Sequence, residues 1–239
     1  MSKQTDLINV TDAITVSSSN VGIGTVPSGN LTSGYNLRLD GGAQTYLSFN
    51  NDTHTTQVTG GFVIGNDNGA ARITQRENQP IIIGTNNAER MRIDATGAVT
   101  MPHQPAFSVN PSGTQADIAP NGVRVVAFGT ERFDIGSNFA SNAFTAPVTG
   151  KYQLNVEVRL DNMDTGATYY HLYLLTSNKT YHSIMAPRFT SDLAYMSLST
   201  SVLADMDEND AVYVGIYQAS GTQQTDISGD SHFSGYLVA

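Results

Sequence analysis

The chain has 239 residues, enough for one large domain or two small ones. Its 39% hydrophobic and 14% charged residues fall below the about 45–50% and about 25% usual in globular domains. A net charge of −9 argues against a nucleic-acid partner, which needs clustered Lys and Arg, and the absence of cysteine removes disulfides and thiolate metal sites.

Met1 to Asn20 is polar and rich in Ser, Thr and Asp. Met1 to Thr15 carries one Lys and no apolar core, which predicts that no secretory signal is present and that the chain is made in a cytoplasm. No run of about 18 apolar residues exists to span a membrane. Residues 21–101 are full of Gly and Asn with short apolar bursts. Val21-Gly22-Ile23-Gly24-Thr25, Phe62-Val63-Ile64-Gly65-Asn66 and Ile81-Ile82-Ile83-Gly84-Thr85 form a loose repeat whose spacing is too irregular for a solenoid. Between them lie short alternating pieces: Tyr35, Leu37 and Leu39; Leu47 and Phe49; Met91 and Ile93. One chain can barely build a core from such fragments. Three chains wound together can, and an ordinary small β domain is the alternative. Ala88 to Asp94 is the best helix candidate, but Met91 and Ile93 read equally well in a strand.

Residues 102–105, Pro-His-Gln-Pro, form a linker, because two prolines in four residues resist both helix and central strand. From residue 106 the apolar runs lengthen and alternate with period two. Tyr152, Leu154, Val156, Val158 and Leu160 make one face of a strand, with Gln153, Asn155, Glu157 and Arg159 on the other. Val123 to Phe128, Thr168 to Leu175, Leu193 to Ala204, Ala211 to Tyr217 and His232 to Val238 read similarly. Turn residues separate them at Asp161-Asn162, Asp164-Thr165-Gly166, Ser177-Asn178, Asp207 to Asp210 and Ser220-Gly221. The pattern predicts an all-β sandwich or jelly roll.

Three segments of this zone resemble the globular head of complement component 1q, a relative of tumour necrosis factor. They are Phe133-Asp134 with Ser137-Asn138-Phe139 and Phe144-Thr145-Ala146-Pro147-Val148-Thr149-Gly150-Lys151-Tyr152-Gln153-Leu154; Leu203 to Val214; and Phe233-Ser234-Gly235-Tyr236-Leu237-Val238. The resemblance implies a ten-stranded jelly-roll head over 106–239 that packs as a homotrimer, with Phe133, Phe144, Tyr152, Leu154, Phe233 and Tyr236 in its core or trimer packing. Residues 21–101 resemble modules of bacteriophage fibres, through Asn20 to Thr25, Gly61 to Asn66, and Glu89-Arg90-Met91-Arg92-Ile93-Asp94 followed by Gly97. That implies a slender trimeric β shaft, and a particle-attachment segment at 1–20 that contacts other virion proteins.

Sequence signatures of catalysis are missing. There is no Gly-x-Ser-x-Gly elbow, phosphate-binding loop or His-Glu-x-x-His helix. His171 and His182 flank one hairpin and are expected to be exposed strand residues rather than metal ligands. The carboxylate pairs Asp161 with Asp164 and Asp205 with Asp207 fall in turns, where Asp is favoured for backbone hydrogen bonding. Ca²⁺ is the one cofactor considered, at Asp205, Asp207, Glu208 and Asp210, since it needs six to eight oxygens; otherwise no metal or cofactor is expected. Tyr169, Tyr170, Tyr173 and Tyr181 cluster on one hairpin, with alternation sending Tyr169 and Tyr173 to one face and Tyr170 to the other. Asp161, Asn162, Asp164, Asn178, Lys179, Tyr181 and His182 are the candidate receptor-facing loop residues. The expected function is a non-enzymatic virion fibre whose head binds a host-surface glycan or protein. A capsid decoration protein and, third, a glycan depolymerase are the alternatives.

Overall fold

The computed structural model describes residues 14–17, 20–23, 37–39, 43–49 and 61–239. The expected attachment segment at 1–20 lies outside the described residues except for 14–17 and 20, as do Gly24, Thr25 and Tyr35. The chain divides into two compact units, Met1–Met101 and Pro102–Ala239. The described residues form strands and no helix, so none contains a helix long and apolar enough to cross a membrane.

The described residues of the first unit form three small sheets. Strands β1 (Ile14–Ser17), β2 (Asn20–Ile23) and β3 (Leu37–Leu39) form one, with β2 and β3 parallel. Antiparallel β4 (Gln44–Phe49), β5 (Phe62–Asp67) and β6 (Ala70–Gln75) form the second. The third contains β7 (Ile81–Thr85), β8 (Ala88–Ile93) and β9 (Val99–Thr100). Asn68-Gly69 and Asn86-Asn87 join the hairpins with positive φ at both central residues, the conformation whose twist matches paired strands. The second of these turns folds Ala88–Ile93 back onto β7, so this segment is a strand and not a helix. Leu47, Ile64 and Ile73 lie in one cross-strand row yet stay 42%, 44% and 64% exposed. Among the described residues of this unit, Val63 is the one buried hydrophobic side chain.

The second unit is a two-sheet sandwich. Its strands are β10 (Ala106–Asn110), β11 (Val123–Val125), β12 (Thr130–Ile135), β13 (Phe139–Ala140), β14 (Ala143–Thr145) and β15 (Gly150–Met163). Then follow β16 (Tyr169–Thr176), β17 (Thr180–Met185), β18 (Leu193–Met206), β19 (Ala211–Ala219), β20 (Asp226–Ile227) and β21 (His232–Leu237). Sheet one runs β12-β10-β21-β15-β18 and sheet two β13-β14-β19-β16-β17, with β20 and β11 attached beside them. Ten main strands in two antiparallel layers make the jelly roll that the sequence predicts.

The inward residues of both sheets meet in one core. Tyr152, Leu154, Val156, Val158 and Leu160 of β15 are all buried, facing Tyr170, Leu172 and Leu174 of β16 and Val212, Val214 and Ile216 of β19. At one end Phe107 stacks on Phe144 at 4.6 Å and meets Phe233 edge-on at 4.8 Å, geometries that suit aromatic quadrupoles. Buried hydroxyls find partners: Tyr152 donates to the Val148 carbonyl at 2.7 Å, and Tyr170 Oη accepts from the Asp164 N–H at 2.9 Å and lies 2.8 Å from Thr225 Oγ1. Gly235 sits where a Cβ would come within 2.7 Å of Leu154 Cδ2 and 2.8 Å of Phe107 Cε1. The Phe-Ser-Gly sequence is therefore a packing requirement between β10 and β15.

Phe144, Tyr152, Leu154 and Phe233 lie in this core, but Phe133 and Tyr236 do not. They point out of sheet one and remain 50% and 49% exposed. The alternation explains it: Phe133 pairs with outward Ser108, and Tyr236 with outward Gln153. Strand β15 also runs through the expected Asp161-Asn162 turn, absorbing it with Asn162 at φ 52. Strand β11 stops at Val125, and Val126 continues the contact by donating its N–H to the Val214 carbonyl at 2.9 Å.

Candidate functional site

The expected receptor-facing residues do not form one site. Asp161 and Asn162 lie at the end of β15 and Asp164 follows it in the loop that leads into β16, whereas Asn178 and Lys179 lie beyond the far end of β16. Eight strand residues separate the groups by roughly 25 Å. Asp164 is buried, accepting the N–H groups of Gly166 at 2.7 Å and of Thr222, and so clasps two loops together rather than facing solvent. Asp161 is paired with Arg159 on the strand, and Asn162 donates to Asp226 at 2.8 Å. Asn178 donates to the Asp205 carbonyl and to Asp210 Oδ2, both at 3.1 Å. Tyr181 packs against the core, with the Lys179 ammonium 5.3 Å from its ring centre. Only His182 among these joins a larger feature.

That feature is a strip of rings on the outer face of sheet two. Alternation along β16 buries Tyr170, Leu172 and Leu174 and turns Tyr169, His171 and Tyr173 outward. Register brings Tyr217 of β19 opposite His171 on one side and Ile184 of β17 on the other. In the next row Gly215 and His182 flank Tyr173. Tyr217 and Tyr169 stack at 5.9 Å, His171 lies 3.8 Å from Tyr173, and His182 is 4.7 Å from His171 and 5.4 Å from Tyr173. Gly215 is required here, because a Cβ would come within 2.7 Å of Val123 Cγ1. These rows contain no Asp, Glu, Lys or Arg. The strip is thus amphipathic and uncharged, with phenol and imidazole tips on ring bodies held by a rigid sheet, a composition common in recognition surfaces.

His171 is 8% exposed, which corrects the expectation of two exposed histidines; His182 is exposed. His171 Nε2 and His182 Nδ1 are hydrogen-bonded at 2.7 Å. Burial, and then the neighbouring His182, push the His171 pKa down, while burial followed by the nearby Tyr169 and Tyr217 pushes that of Tyr173 up. Both shifts favour the neutral form of the ring concerned. The period-two pattern shows that Tyr169, His171 and Tyr173 share a face, but the pairing with Tyr217 and His182 depends on strand register, which the sequence does not reveal.

The outer face of sheet one is different. One cross-strand row reads Phe133, Ser108, Ser234, Asn155, Ser201, and the next reads Ile135, Ala106, Tyr236, Gln153, Leu203. Gln153 donates to Ser201 Oγ at 2.9 Å, and Ser201 donates to Asn155 at 2.7 Å, so the polar groups satisfy one another locally. Phe133, Tyr236 and Leu203 stand around this small-residue platform about half exposed. A self-satisfied platform ringed by apolar groups can be buried against a partner at little desolvation cost.

Two carboxylates of the acidic turn of Asp205, Asp207, Glu208 and Asp210 are tied to neighbours. Asp205 pairs with Lys151 at 2.5 Å, and Asp210 accepts the Asp207 N–H at 3.0 Å. Among the described residues, no three His, Cys, Asp or Glu side chains converge as a metal-holding group.

Residues 106–238 match the family model of the C1q domain. Among solved structures, the chain is similar to the globular domain of zebrafish complement 1qA protein, at 18% identity over 57% of this chain and 98% of that chain, with a TM-score of 0.44. It is similar to murine APRIL at 14% identity, over 56% of this chain and 99% of that chain, with a TM-score of 0.42. No curated protein matches the chain.

Proposed function

Because the chain belongs to the C1q domain family, whose domains commonly form homotrimers and typically bind or build rather than catalyse, we propose that it is a homotrimeric structural fibre protein of a virus particle, displayed on the exterior, whose second unit binds the host surface. The observation that carries the reading is the uncovered apolar surface of both units. In the first unit the Leu47–Ile64–Ile73 row has no cover among the described residues, and isolated three-stranded sheets gain little stability without a packed face. In the second unit the sheet-one platform carries Phe133, Tyr236 and Leu203. Three copies packing through these faces bury both sets. The virion assignment is supported by the resemblance of 21–101 to phage fibre modules, with the first residues docking to the particle. Each trimer then presents three ring strips, so weak contacts with the surface add through multivalency.

Two experiments separate the parts of this reading. Leu203→Asp with Tyr236→Asp places charge on the platform and is expected to convert a trimer into smaller species; an unchanged mass removes the platform from the interface. Particles assembled with chains truncated after residue 105 are expected to lose adsorption to host cells, and unchanged adsorption contradicts the host-binding role.

A further inference from the structure

The His171–His182 pair is used neither by the core nor by the sheet-one platform. Its two residues come from adjacent antiparallel strands and are offset by one step of the ladder, since His171 lies opposite Ile184 and His182 opposite Tyr173. The diagonal offset points the two imidazoles at each other, with Nε2 of one and Nδ1 of the other 2.7 Å apart. Tyr173 packs on the His171 ring at 3.8 Å and fixes its orientation. We propose that His171 and His182 form a two-ligand site for a divalent transition cation of the Cu²⁺, Ni²⁺ or Zn²⁺ class.

The geometry suits such an ion after a small adjustment. Metal–imidazole bonds of about 2.0–2.1 Å at tetrahedral or square angles place the two nitrogens roughly 2.8–3.4 Å apart. The pair must therefore open by less than about 1 Å, which the exposed His182 ring can supply by turning about its side-chain bonds. Each ring coordinates through the nitrogen already facing its partner; the ring that donates the shared hydrogen moves that proton to its outer nitrogen, so both bind as neutral imidazoles. The chemistry of the donors selects the metal. Two imidazole nitrogens with no carboxylate in the surrounding rows favour borderline transition ions over Ca²⁺ and Mg²⁺, which need hard oxygen ligands. Two protein ligands leave the remaining positions to water on the solvent side, where an oxygen donor of a bound ligand can take them.

Calorimetric titration of the full chain with NiCl₂ tests this directly. One ion per chain with micromolar affinity is expected, at least tenfold weaker in His182→Ala and unchanged in His232→Ala, with no binding of Ca²⁺ at this pair. His182 is exposed, so its variant should keep the wild-type circular dichroism and urea midpoint. As a second readout, substoichiometric Cu²⁺ should broaden the imidazole proton signals of His171 and His182 before those of His232. Absence of Ni²⁺ binding, or His182→Ala binding as tightly as wild type, overturns the proposal.

Discussion

Replacing Phe107 with Ala is the most direct test of how the second unit is held together. Phe107 is 1% exposed and touches three other rings, with centroids at 4.6 Å to Phe144, 4.8 Å to Phe233 and 5.4 Å to Phe139. It comes from β10 and bridges Phe144 of sheet two and Phe233 of sheet one, so truncation opens a cavity between layers rather than at an edge. Buried Phe→Ala changes cost about 3–5 kcal/mol, and this site should fall near 4 because its walls are fixed by two sheets. With a urea slope of about 2 kcal/mol/M, the midpoint moves down by roughly 2 M. The assay is urea denaturation followed by tyrosine fluorescence, with wild type and variant at the same chain concentration so that association does not shift the comparison. Ile184→Ala is the control: it is outward and 62% exposed, and its effect should stay within about 0.5 kcal/mol. A Phe107→Ala midpoint within about 0.5 M of wild type would refute the packing described between the layers.

Tyr170→Phe removes the hydroxyl that accepts the Asp164 N–H and meets Thr225 Oγ1, leaving both buried, and should cost about 1–3 kcal/mol in the same assay. Gly235→Ala forces a Cβ against Leu154 and Phe107 and should cost about 1–3 kcal/mol through overpacking, whereas Gly113→Ala, which meets open space, should be near neutral. The Asp192 carboxyl is held below its usual range, first by the Thr165 N–H and then by the Gln224 amide and Thr165 hydroxyl. A depressed carboxyl stabilises the fold above the unfolded pKa of about 3.9 and loses that contribution as pH falls through the lower folded value. Asp192→Ala should therefore flatten the acid limb of a stability–pH curve below about pH 4 and leave its slope between pH 6 and 8 unchanged.

The parts of the fold legible in the sequence are those where a long strand has one wet face. Strand β15 shows this best, since every second residue from Tyr152 to Leu160 is buried as the alternation predicts. The terminal Phe233-Ser234-Gly235 was legible for a different reason, its resemblance to the end of the complement 1q head; its physical cause, Gly235 pressed between Leu154 and Phe107, lies in strand pairing that the sequence does not show. Strands β10, β13 and β14 were not identified, because their two to five residues are too few for a period to show. Asp161-Asn162 reads as a turn because both residues favour one, yet pairing with β18 and β20 carries the strand through it. Phe133 and Tyr236 show the limit of reasoning from residue type: a large aromatic in a strand is as well suited to the outer face as to the core, and only the register with Ser108 and Gln153 decides. The ring strip was half visible, since β16 supplies three of its members in sequence while Tyr217 and His182 arrive by pairing with other strands.

The central claim is that three chains assemble through the apolar surfaces that the described residues of one chain leave uncovered. Light scattering coupled to size-exclusion chromatography measures it on the intact protein. The account predicts a mass near three times the 25.5 kDa of one chain, held on dilution into the low micromolar range. A single species at 25.5 kDa would contradict it, because the Leu47–Ile64–Ile73 row and the Phe133, Tyr236 and Leu203 surface would then face water with no cover from the described residues.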